Sequence, residues 1–421
     1  VLVDSWLPRA AATAPQSLAV NNLTYGQLLE QAERAARQLA ALGVVNGDRV
    51  ALLLPPGEQF AIHFHAALLL GAVAVPIDPA AAADQIATRT SDSRVVVDGP
   101  LESHEDPATT LLATHDLAAP AVVIYSSGSS GAAKEVVLSY GNFWWSATGS
   151  AVAIGLDANE RWLCPLPFSH VGGLSVLVRS AIYGTQALVQ ERFELDAVVA
   201  ALQASDGPTL VSLVPTTLQR LLDAGLREPP SLRWVLLGGG PISEELLAQA
   251  ADSLVPVAPS YGMTEACSQI ATRGAQLFCT RVELGEGNEI LVSGPTVAPQ
   301  CQPQLRSGDV GRWASDDQLE VVGRLSDLII SGGENVAPET VEAALAQHPS
   351  VADVAVVGRE DAQWGQRVTA IVVLETGSVV TAEELIEFSR SRLAPHERPK
   401  QVEFRSTLGR SATGKLTRRE L

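Results

Sequence analysis

A chain of 421 residues, 46% hydrophobic and 18% charged, is too apolar for a disordered protein, and its length predicts two or three domains at roughly 150 residues each. Forty-seven acidic residues against 29 Lys and Arg leave a formal charge of -18, which repels a phosphate backbone and argues against a nucleic-acid binder. The longest apolar run, Ala66 to Pro76, falls well short of the roughly 20 residues that span a bilayer, so no membrane insertion is expected.

Helical spacing from Thr24 to Gly43 leads into Asn46-Gly47-Asp48, then a strand (RVALLLP), a second helix and a second strand (AVAVPI). The alternation returns at strand TLVSLVP, helix TTLQRLLDAG, strand RWVLLGG and helix ISEELLAQAADSL, where Ser243 is the predicted N-cap. Short apolar strands alternating with helices predict parallel sheets covered on both faces. From about residue 285 the pattern becomes strand-rich and turn-rich (EILVSGPTVA, GRWASDD, QLEVVGR), predicting a β subdomain. Beyond Leu328 a helix (PETVEAALAQH), two strands, a second helix (TAEELIEFSRSRL) and a basic tail predict a small α+β domain. The predicted fold class is therefore α/β, with residues 1–325 as a large N-terminal domain and 326–421 as a small C-terminal one.

The start of the sequence lacks a basic segment followed by an apolar block, so no secretory signal is expected. Cys164, Cys267, Cys279 and Cys301 form no CxxC pair, which predicts reduced thiols, a cytoplasmic protein and no structural metal. Whether copies of the chain form a homo-oligomer is left open.

Five segments carry chemistry. Tyr125 to Val137 (YSSGSSGAAKEVV) follows an apolar strand, and Ser126, Ser127, Gly128, Ser129, Ser130, Gly131 and Lys134 supply hydroxyls, inward-turning NH groups and a cation for phosphates. It is no nucleotide P-loop, which needs Gly-Lys-Ser/Thr and an immediate helix; here an acid follows the lysine and the next segment reads as a strand. A flexible Ser/Gly linker is the alternative. In Ser260 to Thr272 (SYGMTEACSQIAT), Thr264 and Glu265 cap a helix or supply a hydroxyl and carboxylate to Mg2+. Leu236 to Ile242 (LLGGGPI) runs a strand into three glycines, where backbone meets a flat ring or simply turns. Ser307-Gly308-Asp309 precedes GRLSDLIISGGEN at 323–335, and LGRSATGKLTRREL ends the chain, on composition a solvated basic tail.

In this order and at these separations the five segments resemble the adenylate-forming superfamily of acyl-CoA ligases, peptide-synthetase adenylation domains and luciferases. The resemblance covers essentially the whole chain. Within the superfamily the chain is most similar to the 2-succinylbenzoate CoA ligases of menaquinone and phylloquinone synthesis. The similarity rests on PLPFSHVGGLSVLVRSAIYGTQALVQERF, LLGGGPI, YGMTEACSQIAT, SDLIISGGENVAPETVEAAL and the 44 positions from Glu265 to Asp309. It departs at Ala133-Lys134-Glu135, where the family has Pro-Lys-Gly, and in loop serines that replace threonines; Glu135 is expected to weaken the field of its neighbouring lysine.

The resemblance implies ATP, Mg2+ and coenzyme A, a carboxylic acid activated as its adenylate, and a mobile C-terminal domain. It implies that the Ser126–Gly131 loop and Lys134 hold the β- and γ-phosphates, Thr264 the α-phosphate and Glu265 the metal. Gly238, Gly239, Gly240, Pro241, Ser260, Tyr261, Gly262 and Met263 would surround adenine, with Asp309 and Arg324 on the ribose. Lys415 would be the adenylation lysine, and Ser331, Gly332, Gly333 and Glu334 would serve the CoA step after rotation at Ser326 or Asp327. An acyl substrate with a second carboxylate asks for donors or a cation in an apolar pocket, and the candidates are His170, Gly172, Ser175, Arg179, Ser268, Gln269 and Thr272. His170 reads equally as a ring satisfied by backbone, and Arg179 as a surface arginine. Competing readings are another aryl- or acyl-CoA ligase, a domain loading a carrier protein, and a binding protein without turnover.

Overall fold

The computed structural model describes residues 1–127, 133–314 and 318–409. It divides into two compact units, Val1–Val282 with Val292–Leu305, and Glu283–Leu291 with Arg306–Leu421.

The first unit is mixed α/β. Its helix Tyr25–Ala41 starts at a capping box, in which Thr24 Oγ1 accepts from Gln27 N and the Gln27 side chain accepts from Thr24 N. It turns Leu28, Ala32, Ala35, Ala36 and Leu39 into the core at helical spacing. The next helix, Glu58–Leu70, is apolar on nearly every side, and Phe60 to Leu70 are all buried. One sheet has five strands in the order Val95–Val97, Arg49–Leu52, Val73–Pro76, Pro120–Ser127, Ala133–Ser139. Its first four are parallel, and the last turns back antiparallel. A second sheet has nine strands, with Glu-free apolar strands at its centre: Gln186–Val189, Arg161–Cys164, Leu210–Leu213, Trp234–Leu237 and Val257–Met263 lie parallel in that order. Ser243 caps Glu244–Asp252 as the sequence predicts, its Oγ accepting from Leu246 N at 3.1 Å.

In the second unit, Leu305–Trp313 and Leu319–Arg324 pair antiparallel within a four-stranded sheet. A further sheet has the order Glu334–Val336, Ile329–Ser331, Gly365–Leu374, Val351–Asp361, with Gln401–Phe404 parallel to Gly365–Leu374. Helices Pro338–Ala346 and Ala382–Ser389 bury Val341, Leu345 and Leu385 in its core. No helix among the described residues is long and apolar enough to cross a membrane.

Candidate active site

The strands that flank the Ser/Gly segment, Pro120–Ser127 and Ala133–Ser139, pair antiparallel. Ser126 stands opposite Lys134 and Tyr125 opposite Glu135, so the alternation of a strand sends Lys134 and Glu135 to opposite faces of the sheet. Glu135 is held by the Arg49 guanidinium through two bonds of 2.9 and 3.0 Å and accepts from the Tyr125 hydroxyl at 2.9 Å. Arg49 keeps the Glu135 carboxyl below the usual carboxylate range, while burial and then the bond to Glu135 push the Tyr125 phenol up to about 12. The expected weakening of the Lys134 field is thus corrected: the acid faces away and is already paired. Lys134 itself is exposed. Gly128, Ser129, Ser130, Gly131 and the side chain of Ser127 lie outside the described residues, as does Lys415.

Thr264 and Glu265 do not open an α-helix. They sit in a 3-10 turn, Thr264–Ala266, between antiparallel strands Val257–Met263 and Ser268–Thr272. The chain leaves it with Cys267 at φ 51° and Ser268 at φ 92°, backbone conformations that non-glycine residues rarely hold. Gly262 is required at the strand end, because a Cβ there would penetrate the Ser268 carbonyl oxygen. The turn is braced by Ala298 N, which donates to Glu265 O at 2.8 Å, just ahead of the turn Pro299–Cys301. Lys134 and Glu265 both reach the Cys301 thiol electrostatically: burial pushes it up, Lys134 lowers it and Glu265 raises it again.

The glycine run Gly238–Gly240 continues strand Trp234–Leu237 next to Val257–Met263, and a Cβ on Gly238 would come within 2.9 Å of Ser260 O. Two backbones lie side by side there, with Gly239 at φ 79° and Pro241 exposed, flanked by half-buried Ser260, Tyr261 and Met263.

Helix Val171–Tyr183 packs against strand Ser268–Thr272. Arg179 on that helix is only 2% exposed, which overturns the surface reading. Its Nη2 donates to Ser146 Oγ at 3.1 Å, its guanidinium lies 5.6 Å from the centre of the Trp162 ring, and its Nε has no partner. No carboxylate among the described residues lies within ion-pair distance of it. Burial lowers its pKa, the direction expected of a cation taken out of water without a counter-charge. Ser175 Oγ and Gln269 Oε1 are also buried and unpartnered, whereas Gln269 Nε2 donates to Thr272 Oγ1 at 2.6 Å. His170 stands exposed as the N-cap of the helix and Gly172 is half-buried behind it.

Sequence reasoning missed Ser146, whose hydroxyl also donates to Cys267 O at 2.6 Å. It missed Trp162 and Arg49 as well. None lies in a motif, and only the pairing of elements brings each to its partner.

In the second unit, Asp309 stands directly across the strand pair from Arg324, and Arg324 Nε meets Asp309 Oδ1 at 2.8 Å. Asp309 N donates to Ser307 Oγ at 3.0 Å, and buried Glu289 accepts from Gly308 N at 3.1 Å and from Arg306. The aspartate is thus fixed by its own loop. Ser331 and Glu334 face each other across a two-residue hairpin whose Gly332 and Gly333 have φ 64° and 84°, the left-handed pair of a tight reverse turn. Ser326 Oγ donates to Asp327 Oδ1 at 2.9 Å.

A divalent ion fits Glu265 by its chemistry. One partly exposed carboxylate beside one hydroxyl, with no cluster of three His, Cys, Asp or Glu among the described residues, suits Mg2+, which takes most of its oxygens from phosphate and water.

Comparison with known proteins identifies the family. Residues 7–98 and 95–323 match the model of the AMP-binding enzyme family, and residues 340–415 match that of the AMP-binding enzyme C-terminal domain. The 2-succinylbenzoate--CoA ligase of Bacillus licheniformis is 35% identical over 99% of each chain, and that of Bacillus cereus is 34% identical over 100% of this chain and 98% of the other. Among solved structures, the Bacillus subtilis o-succinylbenzoate CoA synthetase (MenE) in complex with the acyl-adenylate intermediate OSB-AMP superposes with TM-score 0.90 at 32% identity, covering 100% of this chain and 98% of that one. The same enzyme with ATP and magnesium ion also gives 0.90 at 32% identity, covering 100% of both chains. With the AMP-binding models matched over residues 7–323 and 340–415 and relatives about 35% identical along the whole chain, this protein belongs to the AMP-binding enzyme family.

Proposed function

We propose that the chain is an ATP-dependent ligase that activates 2-succinylbenzoate as an acyl adenylate and passes it to coenzyme A. The products are 2-succinylbenzoyl-CoA, AMP and pyrophosphate, in menaquinone or phylloquinone synthesis in the cytoplasm. The observation that carries the substrate is Arg179: a fully buried guanidinium without a carboxylate partner is completed by an acid that brings a second carboxylate. The names of the relatives support the same reading.

A carboxylic acid with a pKa of about 4 is already ionised at neutral pH, so adenylation needs no general base. The task is to bring two anions together and stabilise charge on the phosphoryl oxygens. Lys134, Ser126, Ser127, Gly128, Ser129, Ser130 and Gly131 hold the β- and γ-phosphates. Thr264 holds the α-phosphate, and Glu265 would hold Mg2+, which would neutralise phosphate charge. Gly238 to Pro241 and Ser260 to Met263 enclose adenine; Asp309 accepts from the ribose hydroxyls with Arg324 beside it. The succinyl carboxylate meets Arg179, with Ser175, Gln269, Thr272 and Ser268 around it, and Gly172 and His170 at the pocket edge. Lys415 places an ammonium between the attacking carboxylate and the α-phosphate. The acid oxygen bonds to the α-phosphorus as pyrophosphate leaves.

For thioester formation, residues 326–421 rotate relative to 1–325 about Ser326 or Asp327. This brings Ser331, Gly332, Gly333 and Glu334 to the adenylate, where sulfur displaces AMP from the carbonyl carbon. The test is pyrophosphate release with ATP and Mg2+, comparing 2-succinylbenzoate with benzoate, a medium-chain fatty acid and acetate, then adding CoA. Selective release followed by thioester supports the assignment. Release with another acid moves the substrate, and silence from folded, ATP-binding protein favours binding without turnover.

A further inference from the structure

Glu135 occupies a defined place in the sheet, opposite Tyr125. Its face is lined by Ala51, Val73, Val75, Ile77 and Val123, with Tyr125 and Val137 against them. Arg49 opens strand Arg49–Leu52, which two intervening strands separate from Ala133–Ser139. The bidentate contact from Arg49 to Glu135 therefore spans the sheet, passing Tyr125, whose hydroxyl joins the same carboxylate. The other charged groups near the pair are Asp92, 3.7 Å from Arg49, and Arg89, whose guanidinium lies 5.4 Å from the centre of the Tyr125 ring.

We propose that the Glu135–Arg49 pair, with Tyr125 between, is a positioning device for the phosphate-binding hairpin. It ties the last strand of the sheet to one three places away and so sets where Lys134 and Ser126 meet the nucleotide on the opposite face. Two parallel bonds between planar groups fix both distance and orientation, which a single bond does not. Ala133 does not fix φ as a proline would, and the ion pair supplies a constraint on the strand from a side chain. Arg49 and Glu135 are 26% and 38% exposed, so the pair adds little to stability and its effect falls on geometry. The inference rests on reading Lys134 as a phosphate ligand.

The experiment is steady-state and pyrophosphate-exchange kinetics of Glu135→Gln, which keeps the shape and loses the charge. The KM values for ATP and pyrophosphate rise roughly fivefold to tenfold, while the KM for the acid and the melting temperature stay at wild-type values. Glu135→Asp recovers part of the loss, and the exchanged pair Glu135→Arg with Arg49→Glu recovers most of it. In a Lys134→Met background, Glu135→Gln adds no further penalty, because the residue it positions is gone. A wild-type KM for ATP in Glu135→Gln overturns the proposal. So does a penalty that persists in Lys134→Met, or an equal rise for ATP and acid with a fall in melting temperature. If the wild-type protein releases no pyrophosphate with any acid, the ligase reading fails separately. Calorimetric binding of MgATP then decides the pair: a Kd unchanged by Glu135→Gln overturns it, and a weakened one supports it.

Discussion

Arg179→Met separates function from stability because the two should move in opposite directions. In the unliganded protein the guanidinium has lost water and gained one hydrogen bond to Ser146 and the face of Trp162. A charge-assisted bond contributes about 1.5–3 kcal/mol and a desolvated cation–π contact about 2 kcal/mol. The desolvation of an unpaired charge costs several kcal/mol, and apolar replacements of buried ionic groups commonly stabilise by about 1–4 kcal/mol. The net expectation for Arg179→Met is a gain of about 1–2 kcal/mol, read as a rise of about 2–8 °C in the melting temperature without ligand. Binding changes the other way. Losing the partner of a buried carboxylate costs about 2–4 kcal/mol, so the KM for 2-succinylbenzoate should rise roughly 30-fold to 1,000-fold, while pyrophosphate release with benzoate, which lacks the second carboxylate, stays unchanged. Thermal melting with and without each acid, alongside pyrophosphate release, checks both halves. A variant that melts lower than wild type and still prefers 2-succinylbenzoate would refute the idea that Arg179 awaits an anion.

Four other outcomes are expected. Gly262→Ala should destabilise the first unit by more than the about 1–3 kcal/mol of ordinary overpacking, since backbone rather than a flexible side chain blocks the new methyl; denaturant unfolding measures it. Cys301 should alkylate slowly at neutral pH and faster as pH rises through its elevated pKa; mass spectrometry of iodoacetamide labelling across pH reads this, and labelling as fast as that of a free thiol at neutral pH would refute it. Burial lowers His65 to about 3 and His115 to about 4, so both are neutral when folded and charge on unfolding below their ordinary 6.5. The unfolded state then binds more protons, and each contributes a stability loss of about 1.4 kcal/mol per pH unit as pH falls from 6.5 towards the folded value; His115→Phe should flatten that slope in denaturant titrations between pH 6 and 4.5. Lys415→Ala should abolish pyrophosphate release yet leave thioester formation from supplied acyl adenylate largely intact, which single-turnover assays of the two steps can compare.

The order of strands and helices could be read from hydrophobic period, because buried parallel strands such as Leu210–Leu213 and Trp234–Leu237 are short apolar runs between amphipathic helices. Ser243 as an N-cap was legible from local chemistry alone. The segment around Thr264 was not, since a Thr-Glu pair after glycine caps a helix as readily as it occupies a turn; the antiparallel return of Ser268–Thr272 decides the matter through contacts far along the chain. The same limit applies to charge. The sequence places Glu135 beside Lys134, but only strand alternation and the reach of Arg49 reveal that the two do not share a face. Arg179 could be listed as a candidate from its spacing to Ser175, yet its burial depends on Trp162 and Ser146, which arrive from other elements.

The Ser146 hydroxyl accepts from Arg179 and donates to the carbonyl of Cys267, whose own NH returns to Thr264 O at 3.0 Å. One side chain thus spans the place assigned to the far end of the acid and the left-handed turn that carries Glu265. An acid drawing Arg179 into an ion pair is expected to alter the bond that holds the turn, and a nucleotide setting the turn to alter the guanidinium in return. Linkage makes the effect symmetrical: the factor by which acid changes nucleotide affinity equals the factor by which nucleotide changes acid affinity. Ser146→Ala should bring both factors towards one together, turning two cooperating subsites into neighbours that bind without reference to each other.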